Sequence, residues 1–231
     1  MKLKMVLWVS LALFISSCSL AEDVTPPPVL ATAQAAPRQQ VATPVHPAAQ
    51  ATSGGLVELS PPETAPSILS GAAIFAESCE PCHGAQGLGA GSMSSNLEVE
   101  PPPLGKLDFA RTARPLDWYG VVTEGRMERF MPPFRSLSDG QRWDVVAYAL
   151  SLGYPPETSL RGASLYDETC AGCHGEAGQG AENAPPLNTS EIFAGYALDE
   201  LLVTIQDGKG SMPAYADILP QEDQLLVAAY V

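Results

Sequence analysis

Apolar residues along this chain first run together, then lose any period, then return with helical spacing. Val6 to Ile15 is a continuous apolar run behind Lys2 and Lys4. It is too short to span a bilayer as a helix and has the form of an export signal, assigned to residues 1–21. Residues 22–66 are rich in Pro, Ala, Thr and Gln and nearly free of aromatics. Such a stretch cannot bury enough apolar surface to offset its ordering entropy and reads as a disordered tether. A flexible coil of that length spans roughly 35–40 Å root-mean-square. From residue 67 onward, stripes at helical spacing appear, as in Trp143, Val146, Ala147 and Leu150, and again in Leu225, Leu226 and Ala229. Strand-like alternation is scarce, so the pattern predicts an all-α fold.

Punctuation residues sharpen the closing helices. Ser138 with Gln141 forms a capping box, and Gly153 supplies a stop. Pro220 is expected at a first helical position, with Glu222 and Asp223 suiting the positive end of the helix dipole.

The helical region is an internal duplication. Gly71 to Gly84 (GAAIFAESCEPCHG) has a twin 91 residues later in Gly162 to Gly175 (GASLYDETCAGCHG). Downstream, Pro102-Pro103-Leu104 answers Pro185-Pro186-Leu187, Glu124-Gly125 answers Asp207-Gly208, and Met131-Pro132 answers Met212-Pro213. The repeat predicts two tandem domains, residues 67–153 and 154–231. Aligned on Tyr148 and Tyr230, the second closing helix stops short of the counterpart of Ser151-Leu152, so the sequence is expected to break off inside a helix.

Four of the five cysteines and two of the three histidines fall in two CxxCH motifs, Cys79-Cys82-His83 and Cys170-Cys173-His174. This is the pattern by which haem is attached through two thioethers with the histidine on the iron. Two cysteines three residues apart on a helical turn reach both vinyl groups on one haem edge, and the next residue points its imidazole at the metal. A zinc site would draw all four cysteines together, and a redox disulfide would sit in a thioredoxin-like βαβ setting. Neither alternative needs the two histidines.

On these motifs both halves resemble class I cytochromes c. The resemblance implies two haems c per chain, held by Cys79, Cys82, Cys170 and Cys173. It implies iron ligation by His83 and His174 on one face and by Met131 and Met212, each followed by proline, on the other. Met127 and Met93 are rival ligands in the first half, and His46, in the tether, is the one spare histidine. The family also offers a carbonyl from Pro102 or Pro103, and from Pro185 or Pro186, to the second nitrogen of the ligand histidine. Gly71 with Phe75, and Gly162 with Tyr166, resemble the first-helix surface that crosses the closing helix at Tyr148 and Tyr230. Separately, Ile15-Ser16-Ser17-Cys18 resembles the lipobox of bacterial lipoproteins, which implies a lipid on Cys18. Signal cleavage after Ala21 and a retained anchor are the alternatives.

Histidine and methionine on opposite faces leave the iron no free position, so the expected role is electron transfer outside the cytoplasmic membrane, without catalysis or a small-molecule substrate. Two alternatives accompany it: a haem-bearing subunit or segment of a larger respiratory complex, and a two-haem peroxidase-like enzyme. The net charge of −14 makes nucleic acid and anionic membrane surfaces poor partners. The acid is uneven: residues 66–152 carry seven basic and ten acidic side chains, residues 153–231 two and twelve. A redox partner with a basic docking surface is therefore expected at the second domain. Arg111, Arg114, Arg126, Arg129 and Arg135 cluster in the first, where ordinary ion pairing is the default.

Overall fold

A computed structural model of the chain describes residues 59–154 and 157–231. The export signal, Cys18, His46 and most of the tether lie outside those residues. Ten α-helices are described: α1 (Ile68–Ser78), α2 (Glu80–His83), α3 (Leu107–Ala110), α4 (Pro115–Glu124), α5 (Asp139–Ser151), α6 (Glu157–Thr169), α7 (Ala171–His174), α8 (Ser190–Gly195), α9 (Leu198–Asp207) and α10 (Gln221–Tyr230). Among the described residues extended pairing is limited to isolated bridges, so the fold is all-α.

The element order repeats. α1 and α5 cross in the first copy as α6 and α10 do in the second, and glycine makes both crossings possible. A Cβ on Gly71 would lie 2.0 Å from the Asp144 carbonyl oxygen and 2.9 Å from Tyr148 Cβ. One on Gly162 would lie 2.5 Å from the Leu226 carbonyl oxygen and 2.8 Å from Tyr230 Cβ. Beside each glycine an aromatic pair completes the contact: Phe75 with Tyr148 at 5.3 Å between ring centroids, Tyr166 with Tyr230 at 5.5 Å.

The caps follow their expected chemistry with one shift. Ser138 and Gln141 form both arms of the capping box of α5. Pro220, expected inside α10, is its N-cap instead: its ψ of 146° is extended, and Gln221 is the first helical residue. Residues 59–66, at the end of the stretch read as a tether, are described. Pro62 is buried, and the Leu59 side chain lies 3.1 Å from where a Cβ on Gly120 would stand, so this end of the segment rests on α4. Averaged composition hides two apolar residues that find a surface.

The two copies pack against each other within one compact unit, residues 54–231. Tyr119, Trp143 and Val146 of the first copy form a single apolar cluster with Ala194 of the second, and Phe193 packs on it. Ala194 is wholly buried. Around this cluster Arg111 Nε donates to Asp199 Oδ1 at 2.6 Å, the Asp199 amide donates to the Arg111 carbonyl at 3.0 Å, and Arg114 forks onto the Glu200 carboxylate. Two of the five clustered arginines thus pair with the acidic second copy.

Candidate haem sites

Both CxxCH motifs are built alike. The first cysteine of each, Cys79 or Cys170, has φ −114° and closes the preceding helix by donating to Phe75 or Tyr166. The amides of His83 and His174 then donate to the carbonyls of Cys79 and Cys170 at 2.9 Å. Gly84 and Gly175 follow with φ of 77° and 83°, a region open to glycine at little cost. The chain turns back, and Gly89 and Gly180 donate to the histidine carbonyls at 2.8 and 2.7 Å. The same scaffold therefore presents two thiols and one imidazole in each copy.

In the second copy His174 is buried, and its Nδ1 lies 2.9 Å from the Pro185 carbonyl oxygen. That contact requires the proton on Nδ1 and leaves Nε2 as the nitrogen with a free lone pair. Pro185 is thereby the partner, of the two prolines expected. In the first copy His83 Nδ1 is buried without a well-aligned acceptor. Burial lowers the basicity of His83, and the Pro102 backbone opposes that shift.

Four cysteines lie among the described residues, and none is in a disulfide. Burial pushes the Cys79 thiol up to about 11, with Cys82 adding to the rise, and burial raises Cys170 as well. Redox CxxC pairs depend on the opposite shift, toward the thiolate. Nor do His, Cys, Asp or Glu gather in threes as a metal cluster among the described residues, as a site drawing the four cysteines together would need. Paired thiols one helical turn apart, with a following imidazole whose other nitrogen is bonded or buried, fit a haem held through thioethers.

The methionine loops share a second device. Met131 pairs with Arg126, and Met212 with Lys209, through short antiparallel bridges. Gly125 and Gly208, with φ of 74° and 72°, lie under these turns: a Cβ there would sit 2.7 Å from the Met131 carbonyl and 2.6 Å from that of Met212. Both methionines are half-buried, whereas Met127 is 68% exposed and Met93 52%. The Met93 amide donates to the Pro81 carbonyl on α2, in a loop the second copy lacks.

Sequence reasoning missed what fastens the second methionine loop. Gln224 is buried, and its Nε2 donates to the carbonyls of Leu219 at 2.6 Å and Tyr215 at 3.2 Å. Tyr215 Oη donates to the Thr169 carbonyl at 3.1 Å, which ties the Met212 loop to the residue before Cys170. Tyr166 Oη donates to the Gly175 carbonyl at 2.8 Å. In the first copy the aligned residues are Arg142, which donates to Tyr119 and Asp139 instead, and Phe134 and Phe75, which lack the hydroxyl. The signal available in the sequence was Gln224 itself, a polar residue beside the apolar stripe of α10.

The comparisons with known proteins agree with this geometry. A family model described as cytochrome c oxidase, cbb3-type, subunit III matches the chain twice, over residues 66–148 and 157–231. The cbb3-type cytochrome c oxidase subunit CcoP of Azospirillum brasilense is 30% identical over 187 residues, 71% of this chain and 61% of that protein. The subunit FixP of Bradyrhizobium diazoefficiens is 28% identical over 192 residues, 77% of this chain and 66% of that protein. Cytochrome c6 of Bryopsis maxima is 31% identical over 74 residues, 30% of this chain and 84% of that protein. The chain thus spans about three fifths of the length of the Azospirillum relative. With one match on each copy, the chain belongs to the cbb3-type cytochrome c oxidase subunit III family and is a c-type cytochrome of two tandem helical domains.

Proposed function

We propose that this chain is the haem-bearing, electron-transferring part of a larger respiratory oxidase assembly and carries two haems c. The observation that carries the reading is the double match to an oxidase subunit family, one on each CxxCH copy. It favours the subunit alternative over a freely diffusing shuttle. The haems, when bound, supply one-electron redox chemistry. Cys79 with Cys82, and Cys170 with Cys173, would hold them covalently. His83 and Met131 would ligate one iron, His174 and Met212 the other.

The protein's contribution is to hold those ligands still. The Pro185 carbonyl fixes the ring plane of His174 and keeps the proton on Nδ1. Gly125 and Gly208 let the methionine loops close. His83 with Met131, and His174 with Met212, would leave a bound haem iron no position open for substrate. The role is relay, and chemistry on oxygen belongs to another subunit. We further propose export, a lipid on Cys18 that holds the chain at the outer face of the membrane, and a basic redox partner at the acidic second domain. Among the described residues no helix is long and apolar enough to cross a membrane.

The test is an oxidised-minus-reduced optical spectrum of the purified chain, with mass spectrometry of the CxxCH peptides. The expected result is two porphyrin adducts and a near-infrared thioether band that weakens on replacing Met131 or Met212. Peptides without added porphyrin, or methionine variants with an unchanged band, would overturn the ligand assignment.

A further inference from the structure

The first copy closes its methionine turn with two more residues than the second. Gly125 to Met131 encloses Arg126-Met127-Glu128-Arg129-Phe130, where Gly208 to Met212 encloses only Lys209-Gly210-Ser211. The longer turn is held at its base by the Arg126 amide on the Met131 carbonyl at 2.8 Å and the Met131 amide on the Arg126 carbonyl at 3.1 Å. At its tip Phe130 has φ +60°, the one positive φ on a non-glycine residue among the described residues. That conformation is unfavourable for an L-residue, and a bulky one has little local compensation. Gly210 fills the matching turn of the second copy at φ +62° without that strain.

Folding gains nothing obvious from this arrangement. Phe130 is 51% exposed and Met127 68%, so the strained backbone displays two large apolar side chains to solvent. Arg126, Arg129 and Arg135, all exposed, lie within five residues of Phe130 in the sequence. Among the described residues the ion pairs engage Arg111, Arg114, Arg142 and Arg161, and none of the three loop arginines. An exposed aromatic and an exposed Met beside several arginines have the composition of an interface core rather than of ordinary surface. On a chain of net charge −14, Arg126 and Arg129 on the turn and Arg135 just after it outnumber Glu124 and Glu128 and form a local reversal of sign.

We propose that the turn Arg126–Arg135 is the docking surface for a redox protein with an acidic face, placing that partner beside Met131 of the first domain. This rests on Met131 being an iron ligand. The chain is then electrostatically bipolar, with an acidic partner at the first domain and a basic one at the second. Charge steers the acidic partner in, and Met127 and Phe130 supply the apolar contact once it arrives.

The experiment is stopped-flow reduction of the full two-haem chain by two donors of opposite charge: an acidic plastocyanin, and a basic mitochondrial cytochrome c as control. The triple variant R126E/R129E/R135E removes the charge. Phe130→Asn removes the ring with a residue that tolerates the left-handed backbone. Optical spectra of each variant first check that the thioether band is retained, which separates failure of docking from failure of ligation. The expected result is a drop of about ten-fold or more in the second-order rate with plastocyanin at low salt, a flatter salt dependence, and no loss with the basic donor. Phe130→Asn should slow the acidic donor at high salt as well. An unchanged plastocyanin rate in the triple variant with an intact spectrum would overturn the proposal. So would charge-dependent binding to phosphatidylglycerol vesicles with no effect on that rate, or concentration-dependent self-association that disappears in the triple variant while the rate holds.

Discussion

Phe193 of the second copy stands edge-on to Trp143 of the first, with ring centroids 6.0 Å apart, and Trp143 in turn stacks on Tyr119 at 4.4 Å. The contact welds the two copies through an apolar joint, with charged pairs at its rim. Replacing Phe193 with Ala should cost about 1–3 kcal/mol, because the side chain is only partly buried. Differential scanning calorimetry of the holoprotein should then resolve two transitions where the native chain gives one. A single unshifted transition would mean that the joint does not couple the copies.

The rim pairs predict a pH dependence at the same joint. Arg114 holds the Glu200 carboxyl below the usual glutamate range, with the Ala197 amide acting in the same direction. A carboxyl depressed in the fold stabilises above its unfolded pKa and stops doing so as pH falls through the folded one. The interdomain contact should therefore be intact at neutral pH and weaken below about pH 4. The pair is exposed, so the effect is small and salt-sensitive. Glu200→Gln should flatten the acid limb of stability measured by urea titration, and an identical limb would remove Glu200 from the account.

Gly71→Ala and Gly162→Ala should each destabilise the chain by about 1–3 kcal/mol or more, since the added methyl group meets a carbonyl with no room to retreat. Gly140→Ala is the contrast. No atom lies within 4 Å of its added carbon, and it sits in α5. There the change should stabilise by up to about 1 kcal/mol. Chemical denaturation of the three variants decides it, and equal effects would refute the close-approach argument.

These glycines were legible in the sequence as a matched pair, as were both CxxCH motifs, the helical class and the Ser138 capping box, because each is written in local spacing. The joint between the copies was not. Phe193 and Trp143 are 50 residues apart, and nothing in either stripe says that its exposed edge meets the other. The seating of Leu59 and Pro62 escaped for a related reason: two apolar residues at the end of a Pro- and Ala-rich stretch do not move its composition.

Gln224 gives a prediction confined to one copy. It fastens the Met212 loop through the carbonyls of Leu219 and Tyr215, and the first copy has Arg142 in its place, bonded to Tyr119 and Asp139. Gln224→Leu should loosen Met212 alone. On the proposed ligation, imidazole should then displace Met212 about ten-fold more readily, and the haem of the first copy should behave as before, as read in the ferric optical titration. Equal sensitivity of both haems would exclude a local clamp.

Tyr166→Phe tests a milder difference. It deletes the bond to the Gly175 carbonyl, and the first copy already carries Phe75 at that place. The expected loss is about 0.5–1.5 kcal/mol with normal haem attachment. Failure to incorporate haem at Cys170 and Cys173, seen by mass spectrometry, would give the hydroxyl a role in maturation that the first copy does without.

The joint also bears on how the duplication is bounded. Where the second copy offers Phe193, the first has Ala110, buried under Gly153, and where the first offers Trp143 and Tyr119, the second has Leu225 and Leu202. Plug and socket therefore exist once each. The one plug already fills the one socket within the chain, so neither face of this head-to-tail contact is left free to carry it on to a second molecule. Divergence of the copies thereby confines the contact to a single chain.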